Sequence, residues 1–261
     1  MPLAPSVSCY DLTVRVPGRT LVDALELDLA SGDFLAVLGQ NGAGKTRMMH
    51  TMAGLLPADS GNVELGGQPL ESLKRQEVAR RLALLPQYVD DVFPATVLQT
   101  VLIGRHPHIG PFELESGLDR QIALQSLRQV DLAEFPDREI DTLSGGERRR
   151  VAIAQVLTQT PGVYLLDEPT NHLDPQHQLD VLELFAEKAR NGATVIASLH
   201  DVNLAVRFAT RCLLLYGDGR WHAGDTAFVL DEQRLSELYG TRMEAVRWRD
   251  RDIFMATRSR R

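Results

Sequence analysis

Cysteine is nearly missing from this chain. Cys9 and Cys212 are too few and too far apart for a disulfide framework or a metal-ligand spacing, a usage that fits a reducing cytosol. Long apolar runs are missing as well. The longest, FLAVL and CLLLY, fall far short of the roughly 18 residues that span a bilayer, so work at a membrane would require a partner. The start, MPLAPSVSCYDLTVRV, has neither a basic stretch nor an apolar core, and no signal peptide is expected. There is no basic excess: 28 Lys and Arg against 35 Asp and Glu leave a net charge of −7. A nucleic-acid surface needs a basic face, so no nucleic-acid partner is expected. What is present, 44% hydrophobic and 24% charged residues over 261 positions, suits one large globular domain or a domain with an inserted subdomain.

The first third reads as strands. LELDLASGDFLAVLG alternates from Leu25 to Leu29, turns at Ser31-Gly32, then runs apolar from Phe34 to Leu38, and NVELGGQPL adds a hairpin around Gly66-Gly67. From Glu71 to about Gln159 the pattern is mostly helical, broken by loops at FPAT and RHPHIGPF. Two short buried-strand runs follow, VYLLD (163–167) and TVIASLH (194–200), each leading into a helical stretch. Short apolar strands alternating with helices imply right-handed βαβ units around a parallel sheet covered on both faces. The Arg-rich end, RWRDRDIFMATRSRR, reads as a solvated, partly frayed tail.

Three stretches carry chemistry. GQNGAGKT, comprising Gly39, Gln40, Asn41, Gly42, Ala43, Gly44, Lys45 and Thr46, fits G-x-x-x-x-G-K-[ST] between an apolar strand and a helix. In that setting the glycine-rich backbone wraps a phosphate, Lys45 reaches the β and γ oxygens, and the Thr46 hydroxyl is placed for Mg²⁺. This is a nucleoside triphosphate site. VYLLDEPT ends a buried strand in adjacent carboxylates, Asp167 and Glu168, which at the edge of a parallel sheet would point into the ligand crevice. LSGGERRR opens a helix with a Ser cap, Ser144, and the glycines Gly145 and Gly146, a second anion site with free backbone N–H groups at the positive end of the helix dipole. The histidine pairs His106/His108 and His172/His177 offer too few ligands for a metal.

Together with Gln87, the NHLD stretch that ends in Asp174, and His200, these stretches resemble the ATP-binding subunit of ABC transporters over essentially the whole chain. The resemblance implies a RecA-like α/β P-loop NTPase core with an N-terminal antiparallel β subdomain and an inserted α-helical subdomain. Its boundaries would be core and β subdomain at 1–87 and 160–240, helical subdomain at 88–159 and C-terminal extension at 241–261. It further implies ATP and Mg²⁺ as cofactors, with Lys45 and the loop amides on the phosphates, and Thr46, Asp167 and Gln87 around Mg²⁺. Glu168 would position the attacking water and His200 would contact the γ-phosphate. An aromatic residue that stacks on adenine is expected about 25 positions before the phosphate loop, yet Val16 and its neighbours stand there.

RRLALLPQ, TVLQTVLIGRHPHIG and SLHDVNLA look most like subunits of importers for iron–siderophore, haem or cobalamin chelates. That implies a peripheral protein on the cytoplasmic face of the inner membrane. Residues 88–112 would contact a transmembrane permease, and a periplasmic binding protein would act indirectly. A soluble ABC-type ATPase in cluster assembly is the alternative; a GTPase is disfavoured because no N-K-x-D segment occurs. The second anion site gains a use if two copies face head to tail in the ATP-bound state, each setting Ser144, Gly145 and Gly146 on the other's γ-phosphate, with Asp174 beside the nucleotide.

Overall fold

The computed structural model describes residues 6–88, 94–249 and 251–257. β1 (Val7–Val16) and β2 (Arg19–Leu29) pair antiparallel, and β3 (Phe34–Leu38) follows a turn at 30–33. Phe34, Ala36 and Leu38 face one core while Leu35 and Val37 face another. A strand covered on both faces has no polar side, which is why FLAVL shows no alternation. The phosphate loop leaves the end of β3 and opens α1 (Lys45–Met52). β4 (Ser60–Leu65) returns to pair with β1, and β5 (Gln68–Pro69) completes the hairpin around Gly66-Gly67. These strands form an antiparallel sheet of order β2-β1-β4-β5.

α2 (Arg75–Arg81) runs directly into β6 (Leu82–Leu85), a strand inside the stretch whose pattern reads as helical. β6 pairs parallel with β7 (Val163–Leu166), and Gly162 donates to Arg81 O at 3.0 Å where the two strands begin. Four apolar residues are too few to display a period, so a partner about eighty positions away decides the conformation. α3 (Val97–Leu102), α4 (Gly117–Gln129) and α5 (Gly145–Thr158) then pack on one another as the helical part. The RHPH stretch, expected as loop, forms a 3-10 turn at Ile103–His108.

The remaining elements are α6 (Pro175–Arg190), β8 (Thr194–Ser198), α7 (Val202–Phe208), β9 (Arg211–Leu215), β10 (Trp221–Asp225), α8 (Thr226–Val229) and α9 (Glu232–Tyr239). The main sheet has the order β10-β9-β3-β8-β7-β6, parallel throughout except for β10. β3 therefore lies between β9 and β8, and the ends of β3, β7 and β8 open on one side, where α/β sheets bind ligands.

The expectation of a frayed tail is corrected: β11 (Arg242–Trp248) and β12 (Arg251–Thr257) form a hairpin. Met243 and Phe254 are buried, and Asn203 of α7 grips the backbone of β12. The Asn203 side chain donates to Phe254 O at 3.1 Å and accepts from Phe254 N at 2.8 Å. A two-stranded ribbon needs such a support, because alone it buries too little. Residues 250 and 258–261 of the Arg-rich end lie outside the described residues.

Candidate active site

Close packing fixes the start of the phosphate loop. A Cβ at Gly39 would come 2.6 Å from the Leu215 carbonyl of β9, so only glycine fits between the two strands. Gly42 and Gly44 take φ of 78° and 105°, the left-handed region that favours glycine. Gly44 caps α1, whose first residue is Lys45. Lys45 is buried, and its Nζ donates to Gly39 O at 2.8 Å and Gln40 O at 3.2 Å. Burial pulls this ammonium below the usual lysine range, opposed by the carboxylates of Glu168 and Asp167. Gln40 is turned away from the loop, donating to Leu238 O of α9 at 2.8 Å. A cavity of about 370 Å³ lies over the loop, lined by residues 41–47 together with Val16, Arg19, Leu21, Gln87 and Glu168. Val16 thus reaches the site, with Arg19 and Leu21 beside it and no aromatic ring in the lining.

The two carboxylates behave differently. Asp167 is fully buried; its Oδ1 accepts from Ser198 Oγ at 2.7 Å, while its Oδ2 has no hydrogen-bond partner. Glu168, with φ 49°, turns its carboxylate toward the cavity. Its Oε2 accepts from Gln87 Nε2 at 2.9 Å and from Asn171 Nδ2, and its Oε1 lies 2.7 Å from His200 Nε2. The Ser198 hydroxyl also accepts from the Glu168 backbone N–H at 2.8 Å, so one side chain anchors both acidic residues.

Gly42 to Thr46, Gln87 and Glu168 therefore share one cavity, with Asp167 adjoining Glu168 in the chain and His200 joined to it. Ser144, Gly145, Gly146 and Asp174 are not in its lining. Ser144 caps α5 in a reciprocal capping box with Glu147, accepting from Glu147 N at 3.3 Å while Glu147 Oε2 accepts from Ser144 N at 2.7 Å. Gly146 lies close to His172, whose carbonyl would stand 3.1 Å from an added Cβ. Asp174 caps α6, accepting from His177 N at 3.0 Å. Ser198 and Asn171 hold the acidic pair without a sequence signal of their own: one is a strand residue and the other sits within NHLD.

The ABC transporter family model matches residues 22–171. The chain belongs to that family. It is 43% identical over 243 residues to the hemin import ATP-binding protein of Deinococcus radiodurans, covering 91% of each chain. It is 37% identical over 235 residues to the achromobactin transport ATP-binding protein of Dickeya dadantii, covering 90% of this chain and 87% of that one. Among solved structures, one described as an inward-facing metal-chelate type ABC transporter matches with a TM-score of 0.84 at 29% identity, over 97% of this chain and 98% of the other. A dimeric ATP-binding cassette with bound ADP and phosphate matches at TM-score 0.73 and 25% identity, over 84% and 98%. The chain is an ATP-binding, ATP-hydrolysing subunit with the P-loop cassette fold.

Proposed function

We propose that this ABC ATPase works as a head-to-tail homodimer on the cytoplasmic face of the cell membrane and drives import of a metal chelate through a permease. The names of its relatives favour a haem or iron–siderophore cargo, with cobalamin-type chelates in the same class. A periplasmic binding protein would deliver that cargo without touching this chain. The observation that carries the proposal is the division of the phosphate-binding parts. Lys45 and Glu168 share one cavity, whereas the Ser144 cap is exposed and outside it. A second copy supplies what the cavity lacks, setting Ser144 and the amides of Gly145 and Gly146 on the γ-phosphate, with Asp174 at the same interface. The helical part also presents a surface for the permease: Tyr88, Ile103 and Phe112 are exposed, while 89–93 of the expected contact lie outside the described residues.

Lys45 exchanges its loop carbonyls for phosphate oxygens when nucleotide enters, and Arg19 and Val16 border the base side. The donors suit a divalent cation, since Asp167 Oδ2 is buried and unpartnered and Thr46 lines the cavity. Gln87 donates through Nε2 to Glu168, which leaves its Oε1 to join them. Held there with ATP, Mg²⁺ would supply positive charge against the phosphate oxygens. Glu168 holds and polarises the attacking water, and His200 steadies that carboxylate and reaches toward the γ-phosphate. Glu168→Gln should keep ATP affinity and lower turnover by about a hundredfold or more, as expected when a positioned base is lost. Equilibrium ATP binding and steady-state phosphate release measure the two; wild-type turnover in that variant would contradict the assignment.

A further inference from the structure

Arg149 stands in α5, five positions after the Ser144 cap, and is only 5% exposed. A guanidinium has five N–H donors, and here every one meets a main-chain carbonyl. Nη1 donates to Pro86 O at 2.6 Å and Gln87 O at 3.4 Å. Nη2 donates to Asp167 O at 2.6 Å and Glu168 O at 2.8 Å, and Nε to Pro169 O at 3.4 Å. None of these acceptors is a carboxylate. The five carbonyls belong to the segments that leave β6 and β7, which carry Gln87 on one side and Asp167 and Glu168 on the other.

Such an arrangement does more than fill space. A buried cation with no carboxylate among its acceptors is costly, and a Leu or Met of similar bulk would pack there without that cost. Burial lowers the guanidinium to about 10, against the pull of Asp167 and Glu168, so it remains charged at neutral pH. Glu168 meanwhile holds a left-handed backbone conformation that non-glycine residues avoid. Arg149 grips its carbonyl while Ser198 Oγ accepts from its N–H at 2.8 Å, so both sides of the residue are fixed.

We infer that Arg149 is a positioning residue for hydrolysis, joining the main chain after β6 to that after β7 so that the Gln87 amide stays on the Glu168 carboxylate and both stay in register with the helix that begins at Ser144. The inference rests on the proposed role of Glu168. It also makes α5 a physical part of the catalytic framework of its own chain, besides its proposed place at the partner's nucleotide.

The full-length chain tests this with Arg149→Met, which keeps the stem and loses the donors and charge, and Arg149→Lys, which keeps the charge but has at most three donors. Turnover is followed over a range of ATP concentrations, so that kcat and KM separate, alongside ATP binding and thermal unfolding. Arg149→Met should lower kcat about tenfold or more with KM for ATP changed less than about threefold. Arg149→Lys, with too few donors for the five carbonyls, should lose kcat several-fold at unchanged KM. A purely structural residue would lower the unfolding temperature and leave kcat and KM of the folded protein at wild-type values, and that result overturns the inference. If Arg149→Met does not fold, the Lys variant decides: a several-fold loss of kcat at unchanged KM supports the role, and wild-type kcat overturns it. Glu168→Gln run in parallel separates the two ideas. Turnover surviving there removes the proposed role of Glu168 and this inference with it, whereas an inactive Glu168→Gln beside fully active Arg149 variants removes this inference alone.

Discussion

Cys9 and Cys212 are both buried, and burial pushes their thiols up to about 12 and about 11. The carboxylates of Asp28 and Glu26 add to the shift at Cys9, while a hydrogen bond with Thr226 works against it at Cys212. The thiolate is the nucleophile, so a raised pKa and a closed environment leave both inert at pH 8. Native protein should therefore resist iodoacetamide over an hour and take up two equivalents once unfolded, as read by intact mass; labelling of folded protein would contradict the burial. The residues of the active site were unevenly legible. Lys45, Thr46, Glu168 and His200 stand in spaced stretches whose residue types declare a phosphate site. Ser198, Asn171 and Arg149 do not, because their partners lie where the fold brings them. The Arg149 contacts with Pro86 and Gln87 span more than sixty positions, and no periodicity encodes a pairing of β6 with β7.

At the scale of elements, α4 shows how a cap becomes a tie. Asp119 completes a capping box with Ser116, and Arg105 Nε donates to it at 2.7 Å. The same guanidinium donates through Nη1 to Thr158 O at 3.1 Å, at the end of α5. Hydrogen bonds from Ser116, then from Arg105, hold the Asp119 carboxyl down to about 2. A carboxylate depressed on folding stabilises the native state above its unfolded pKa, near 4, and that contribution is lost as pH falls toward 2. Asp119→Asn should thus cost about 1–2 kcal/mol at pH 7, after allowing for solvent screening, with the difference shrinking by pH 3. Urea unfolding at the two pH values checks this. Strands β3, β7 and β8 were readable as apolar runs, and α6 as a helical stretch starting at Pro175. β6 and the hairpin β11–β12 were not: the first is too short for a period, and the second is mostly exposed and depends on Asn203 and on burial of Met243 and Phe254.

For the whole molecule, the separation of Ser144 from the phosphate cavity sets the expected behaviour. Ser144→Arg on a Glu168→Gln background should bind ATP as a monomer but fail to form the ATP-dependent dimer, measured by light scattering after size exclusion. Arginine also removes the cap, at a cost of about 1 kcal/mol. Ser144→Asp separates the effects, because it keeps a capping oxygen but sets a negative charge against the partner's phosphate; it too should stay monomeric. A dimer in both variants would place the start of α5 away from the partner's nucleotide. Gly39 and Lys45, at opposite ends of one loop, answer to different demands. Glycine at position 39 is required by the neighbouring Leu215 carbonyl whether or not a nucleotide ever binds. Lys45 donates to two carbonyls of its own loop, and its proposed task is to hold phosphate. In a descendant that had abandoned hydrolysis, the lysine would be free to drift while the glycine stayed, so the two ends of the loop keep separate records of ancestry.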